Sequence, residues 1–111
     1  MITIAETGEF IRQAKGLLKD VEREALIAFL AKHPTAGVLI EDTGGIRKLR
    51  WAREGRGKSG GVRVIYYFHN EKMPLYMLTV YGKGDKDNLT PAEKHQLRQL
   101  VGYLKEANGI K

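Results

Sequence analysis

Two runs of β-branched and aromatic residues, Val62 to Phe68 and Leu75 to Tyr81, are separated by only six residues, His69-Asn-Glu-Lys-Met-Pro74. So short a link predicts an antiparallel hairpin with a longer-than-minimal turn. Upstream, Ile46 to Arg53 reads as a further strand. Its alternation puts Ile46, Lys48 and Arg50 on one face and Arg47, Leu49 and Trp51 on the other. Ile2-Thr-Ile4 and Val38-Leu-Ile40 are shorter strand candidates. Glu54 to Gly61 has four glycines in eight residues and reads as a mobile loop.

Helical spacing takes over at the two ends. Thr7 can cap a helix whose apolar face is Phe10, Ile11, Ala14, Leu17 and Leu18. A break before Asp20 lets that residue cap a second helix, with Glu22 and Glu24 in its first turn, where the dipole favours acids. His33-Pro34 stops it, because the residue before proline avoids helical geometry. Near the C-terminus, Thr90-Pro91-Ala92-Glu93 combines an N-cap, a proline at the first helical position and a capping-box glutamate. Leu97, Leu100, Val101 and Leu104 follow as one apolar seam, and Asn108-Gly109 ends the helix. Two N-terminal helices, consecutive strands and a C-terminal helix predict an α+β domain with a mostly antiparallel sheet. With 111 residues, 42% of them apolar, the chain has material for one such domain, spanning residues 1–111.

The charge is unevenly placed. Between Gly45 and Tyr67 there are seven Lys and Arg residues against one acid, Glu54, which accounts for the whole net charge of +6. Concentrated positive charge points to a phosphate-rich partner or a strongly acidic protein. A plain solvated loop is the alternative. Zero cysteines rule out disulfides and thiolate sites. No run is long enough to cross a bilayer, and the start of the chain lacks a basic-then-apolar signal pattern, so a cytoplasmic location with no membrane partner is expected.

Other chemistries find little support. His33, His69 and His95 are far apart, with no metal-ligand spacing among them, so no metal is expected. Ser59 is the only serine and has no histidine near it. Asp85 and Asp87 read as loop acids beside Lys83 and Lys86, and no phosphate-binding Gly-Lys-Ser/Thr loop is present. What remains is the chemistry of cations. Lys48 and Arg50 share a face, Arg63 begins the neighbouring strand, and Lys83 and Lys86 leave the strand after it. Such a group can grip an RNA backbone and stabilise the extra negative charge of a phosphorane. Crowded cations also favour a neutral lysine, available as a general base for the ribose 2′-hydroxyl. No cofactor is needed. Tyr66, Tyr67, Tyr76 and Tyr81 are candidates for stacking on bases, although half of an alternating set must face the core. Trp51 reads as a core anchor. On these grounds the chain is a basic RNA-binding domain. A non-catalytic RNA- or ribosome-binding module and an acidic-protein docking surface remain as alternatives to an enzyme.

The block Thr43-Gly-Gly-Ile-Arg-Lys-Leu-Arg-Trp-Ala-Arg53, then Gly55-Arg-Gly-Lys-Ser-Gly-Gly-Val-Arg-Val-Ile-Tyr-Tyr67, resembles the RelE/HigB superfamily of bacterial toxins, and within it the HigB branch. Tyr76 to Lys83 and Lys86-Asp-Asn-Leu-Thr-Pro-Ala-Glu93 continue the match. The resemblance implies a microbial-ribonuclease-like fold and a toxin that cuts mRNA in the ribosomal A site. It also implies a cognate helix-turn-helix antitoxin, with operator DNA bound only through the toxin–antitoxin complex. By position it implies Lys48 as base, Arg50 as phosphate ligand, Arg63 as transition-state stabiliser and Lys83 as acid or leaving-group stabiliser. Arg47, Arg53, Arg56, Lys58, Tyr81 and Lys86 make up the expected RNA-contacting set. Relatives with a catalytic tyrosine would place it around Leu89, where this chain has none; either Tyr81 takes that role or the role is absent.

Overall fold

The two aromatic runs do close into a hairpin, and a five-stranded sheet is built around it. The computed structural model describes residues 2–53, 57–82, 84 and 88–110, and at 53 and 57–60 the backbone alone. The elements are β1 (Ile4–Glu6), α1 (Gly8–Leu17), α2 (Asp20–Lys32), β2 (Val38–Leu39), β3 (Ile46–Arg53), β4 (Gly57–Tyr67), β5 (Leu75–Gly82) and α3 (Pro91–Ala107). The strands lie in the order β1-β5-β4-β3-β2. β1 runs parallel to β5, and the other neighbours are antiparallel. This is the α+β architecture that the order of periodicities predicts.

Each face of the sheet carries its own core. Phe10 and Ala14 of α1 and Leu26 and Leu30 of α2 pack with Val62, Val64, Tyr66, Met77 and Val80. On the other face, Val101 of α3 and the neighbouring Leu89 pack with Ile46, Ile65, Tyr67 and Leu78. Burial on both faces pins the register, because a slip of one residue would exchange the two sets. The helix ends follow local chemistry. Thr7 accepts from the Phe10 N–H at 3.1 Å, and Thr90 and Glu93 form the expected reciprocal box. In the hairpin turn, the Asn70 side chain accepts from the Lys72 N–H at 2.8 Å.

Four expectations need correction. The opening strand is Ile4–Glu6 rather than Ile2–Ile4, because its register is set by Leu75 to Met77 of β5. The cap of α2 is Lys19, not Asp20; the Glu22 carboxylate accepts from the Lys19 N–H at 2.8 Å, and Asp20 is already helical. Leu100 is 36% exposed, while Val101 is buried and Leu97 and Leu104 pack beside it. The fourth concerns the glycine-rich stretch, which from Gly57 onward is strand. Gly61 is there for close approach: a Cβ on it would lie 2.5 Å from the Trp51 carbonyl oxygen, where the β3–β4 register shifts. Residues 54–56 lie outside the described residues.

The segment between α2 and β2 is held down by Tyr66. Its buried hydroxyl donates to the Pro34 carbonyl at 2.9 Å and accepts from the Gly37 N–H at 2.8 Å. The backbone of Gly37 lies so close over the ring that a Cβ would come within 2.8 Å of Tyr66 Cε1. Tyr66→Phe is therefore expected to lower stability by about 1–3 kcal/mol, measured by urea unfolding. Burial also pushes the Tyr66 phenol above its ordinary value, against the smaller opposing effects of the Gly37 hydrogen bond and Arg47. The unfolded chain consequently releases that proton first. The Tyr66 contribution to stability is flat below about pH 10 and falls above it. Tyr66→Phe should make the decline above that pH shallower, and an unchanged slope would count against this assignment.

Candidate functional site

Ile46 is buried under α3, and this orients β3 so that Lys48 and Arg50 lie on the α3 face of the sheet. In the pairing with β4, Lys48 stands opposite Ile65 and Arg50 opposite Arg63. Arg63 in turn stands opposite Tyr81 on β5. Direct cross-strand partners share a face, so Arg50, Arg63 and Tyr81 form one row across three strands. Lys48 occupies the next row, about 7 Å away along the strand.

The three cations differ in exposure. Arg50 is exposed, Lys48 is half-buried, and Arg63 is only 6% exposed. Nη1 of Arg63 is buried and has no hydrogen-bond acceptor among the described residues. Lys48 Nζ donates to Asn88 Oδ1 at 3.2 Å. Among the described residues none of Lys48, Arg50 and Arg63 has a carboxylate within ion-pair distance. An ion pair of Arg23 with Glu6 at 2.6 Å links α2 to β1, away from this face. Unpaired guanidinium donors fixed on a sheet are suited to bind the oxygens of a phosphate.

Not every expected residue reaches this face. Arg47 belongs to the opposite one, and its Nη1 donates to the carbonyls of Gly37 at 2.8 Å and Thr35 at 3.2 Å. Its guanidinium holds the segment before β2, on the face opposite Lys48 and Arg50. Tyr81 lies in the right row but is 7% exposed and packed in the α3-side core, so it does not offer a ring for stacking. Tyr66 and Tyr67 are buried too, and the Tyr67 hydroxyl lies 3.3 Å from His69 Nδ1. The Tyr76 hydroxyl accepts from Asn108 at 3.1 Å. Trp51 is an anchor as predicted: its ring lies 5.3 Å from that of Phe29 on the α2 side. Arg56, Lys83 and Lys86, and the side chains of Arg53 and Lys58, lie outside the described residues. Asn88 is the contact that sequence reasoning missed. Its only signal was its place directly before Leu89 and the Thr90 cap.

Residues 4–110 match the family described as the RelE toxin of the RelE / RelB toxin–antitoxin system. The chain belongs to the RelE toxin family. It is thus the toxin member of a toxin–antitoxin system, and the family implies an antitoxin partner. The match takes in both helical ends as well as the cationic strands. Among the described residues no helix is long and apolar enough to cross a membrane.

A buried guanidinium N–H without an acceptor opposes folding. Arg63→Met, which keeps the length and removes the charge, is expected to leave stability unchanged or to raise it by about 1 kcal/mol in urea unfolding. A clear loss of stability would mean that the guanidinium is held by groups beyond those described.

Proposed function

We propose that this RelE-family toxin, of the HigB-like branch, is an endoribonuclease that cuts translated mRNA in the ribosomal A site. The observation that carries the reading is a pair of cations with no carboxylate partner among the described residues: Arg50 opposite a buried Arg63 whose Nη1 lacks an acceptor there, with Lys48 one row away. The reaction needs no metal in this scheme. Lys48 Nζ in its neutral form takes the proton of the ribose 2′-hydroxyl, and the 2′-oxygen attacks the adjacent phosphorus. The bond to the 5′-oxygen breaks, leaving a 2′,3′-cyclic phosphate, and Lys83 returns a proton to the departing 5′-oxygen. Arg50 holds the phosphate in the ground state. Arg63 donates to the oxygens whose charge grows in the phosphorane, where a fixed donor in a partly dry site has its greatest effect.

These side chains supply charge and proton transfer. In-line alignment of the 2′-oxygen with the leaving oxygen is the part that the ribosomal decoding site would supply. Arg53, Arg56, Lys58 and Lys86 are assigned to the RNA of the ribosome and message. In this scheme a helix-turn-helix antitoxin neutralises the toxin and carries the complex to operator DNA.

Arg63→Ala and Lys48→Ala are expected to reduce cleavage at least a hundredfold while ribosome affinity stays within a few-fold. Loss of toxicity only in proportion to affinity would instead identify a non-catalytic ribosome-binding module. Mapping of mRNA 5′ ends after induction should show codon-phased cuts on translated transcripts alone. Equal cutting of an untranslated copy would indicate a free ribonuclease. Ribosome co-sedimentation should weaken steeply with added salt, as phosphate contacts require.

A further inference from the structure

We propose that Asn88 is a positioning residue of the candidate active site, its side-chain carbonyl holding the Lys48 amine in the orientation a general base needs. The inference rests on the reading of Lys48 as that base. Lys48 Nζ donates to Asn88 Oδ1 at 3.2 Å, across 40 residues of chain. Four flexible torsions otherwise leave a half-buried lysine head free to swing, so an acceptor at this point decides where it rests.

Asn88 is exposed, yet its backbone is fixed from the C-terminal side. The next residue, Leu89, is buried in the α3-side core, and the one after it, Thr90, caps α3 through the Glu93 N–H at 3.1 Å. The amide thereby sits two residues ahead of the Thr90 cap, directly beside the anchored Leu89. Its chemistry fits the task as well. A neutral carbonyl accepts one N–H from an amine or from an ammonium, so it holds Lys48 in both protonation states. With one N–H engaged at Asn88, the lone pair of the neutral amine points away from Asn88 and is open to a 2′-hydroxyl. A carboxylate in the same place would favour the charged form and withdraw the base.

Among the described residues, the other charged and titratable groups on this face and at the near end of α3 are Arg50 on β3, Arg63 and Tyr67 on β4, Tyr81 on β5, and Glu93, Lys94, His95 and Arg98 on α3. β2 offers only Val38 opposite Lys48. Arg98 donates to the Asp42 carbonyl at 3.2 Å and lies 3.3 Å from His95 Nδ1. Asn88 is the one side chain among the described residues seen to touch Lys48 Nζ.

The test is single-turnover cleavage of a message programmed into ribosomes, followed from about pH 6 to about pH 9 for the wild type, Asn88→Ala and Asn88→Asp. Asn88→Ala should lower the rate about tenfold without moving the ascending limb of the profile upward, and Asn88→Gln should recover part of the loss. Asn88→Asp should move that limb to higher pH by about one unit or more, approaching the wild-type rate at the alkaline end. The titration midpoint of the Lys48 ε-methylene resonance, read by NMR without any cleavage, should move the same way in Asn88→Asp. An Asn88→Asp profile and midpoint that superimpose on those of the wild type overturn the inference. So do Ala and Asp variants that lose rate equally with the limb unmoved. A Lys48→Ala variant with wild-type cleavage overturns the base assignment itself, and the NMR titration keeps the two failures distinct.

Discussion

Everything functional in this fold depends on the register of β3 against β4. Arg50 meets Arg63 because Ile46 meets Tyr67 four residues earlier, and Ile46 can sit nowhere else without exposing a core side chain. The opposite face enforces the same choice, since Leu49 stands opposite Val64 and Trp51 opposite Val62 beneath the two N-terminal helices. A slip of one residue would drive Lys48 and Arg50 under α1 and α2 and bring Leu49 and Trp51 to the other side. Apolar burial on two faces therefore holds in place a pair of arginines that repel one another. Hydrophobic contacts of about 1.5–3 kcal/mol per large buried side chain are strong enough to do so, and a surface network would not be.

The arrangement is a compromise between stability and readiness. Arg63 has a buried N–H with no acceptor among the described residues, and like charge stands directly across from it. The fold carries a similar penalty at the buried Nε of Arg47 on the neighbouring strand β3, although Nη1 of that residue donates to two backbone carbonyls. Two arginines on neighbouring strands, one half-buried and one buried, thus end in different places. One closes a loop, and the other keeps its donors unassigned. The difference follows from strand parity, which sends Arg47 toward the segment after α2 and Arg50 toward Arg63.

Much of this was legible in the sequence where the signal is local. The bounds of β3, the Thr90 box and the facing of Lys48 and Arg50 all follow from spacing within a few residues. Non-local facts were harder to read. The shift of β1 to Ile4–Glu6 is set by a strand some 70 residues away. Gly61 looked like a loop residue because glycine marks flexibility and close approach alike, and only the partner strand distinguishes them. Tyr81 shows the same limit in the site: its facing was readable, but its burial depends on α3. Alternation set Arg47 on the face opposite Lys48 and Arg50, and the strand pairing places it there. Asn88 required two elements 40 residues apart to be brought together before it had any meaning.

A row of unpaired cations also restricts how any partner can silence the site. A protein that covers this row without bringing negative charge would desolvate the exposed Arg50 guanidinium for nothing in return, a penalty of up to several kcal/mol. A covering antitoxin must therefore present acidic side chains or a carboxyl terminus to this row, and its hold should then weaken with salt. An antitoxin docked elsewhere meets no such demand, and under the function proposed above it would act by bulk that keeps the toxin out of the decoding site. The two modes differ in what they do to the fold. An acid-bearing cover brings counter-charge to the Arg50–Arg63 pair and stabilises the toxin beyond the mass-action effect of binding at a remote surface. The stabilisation of wild-type toxin by its antitoxin, compared with that of Arg63→Met, thus separates direct occlusion from exclusion at the ribosome.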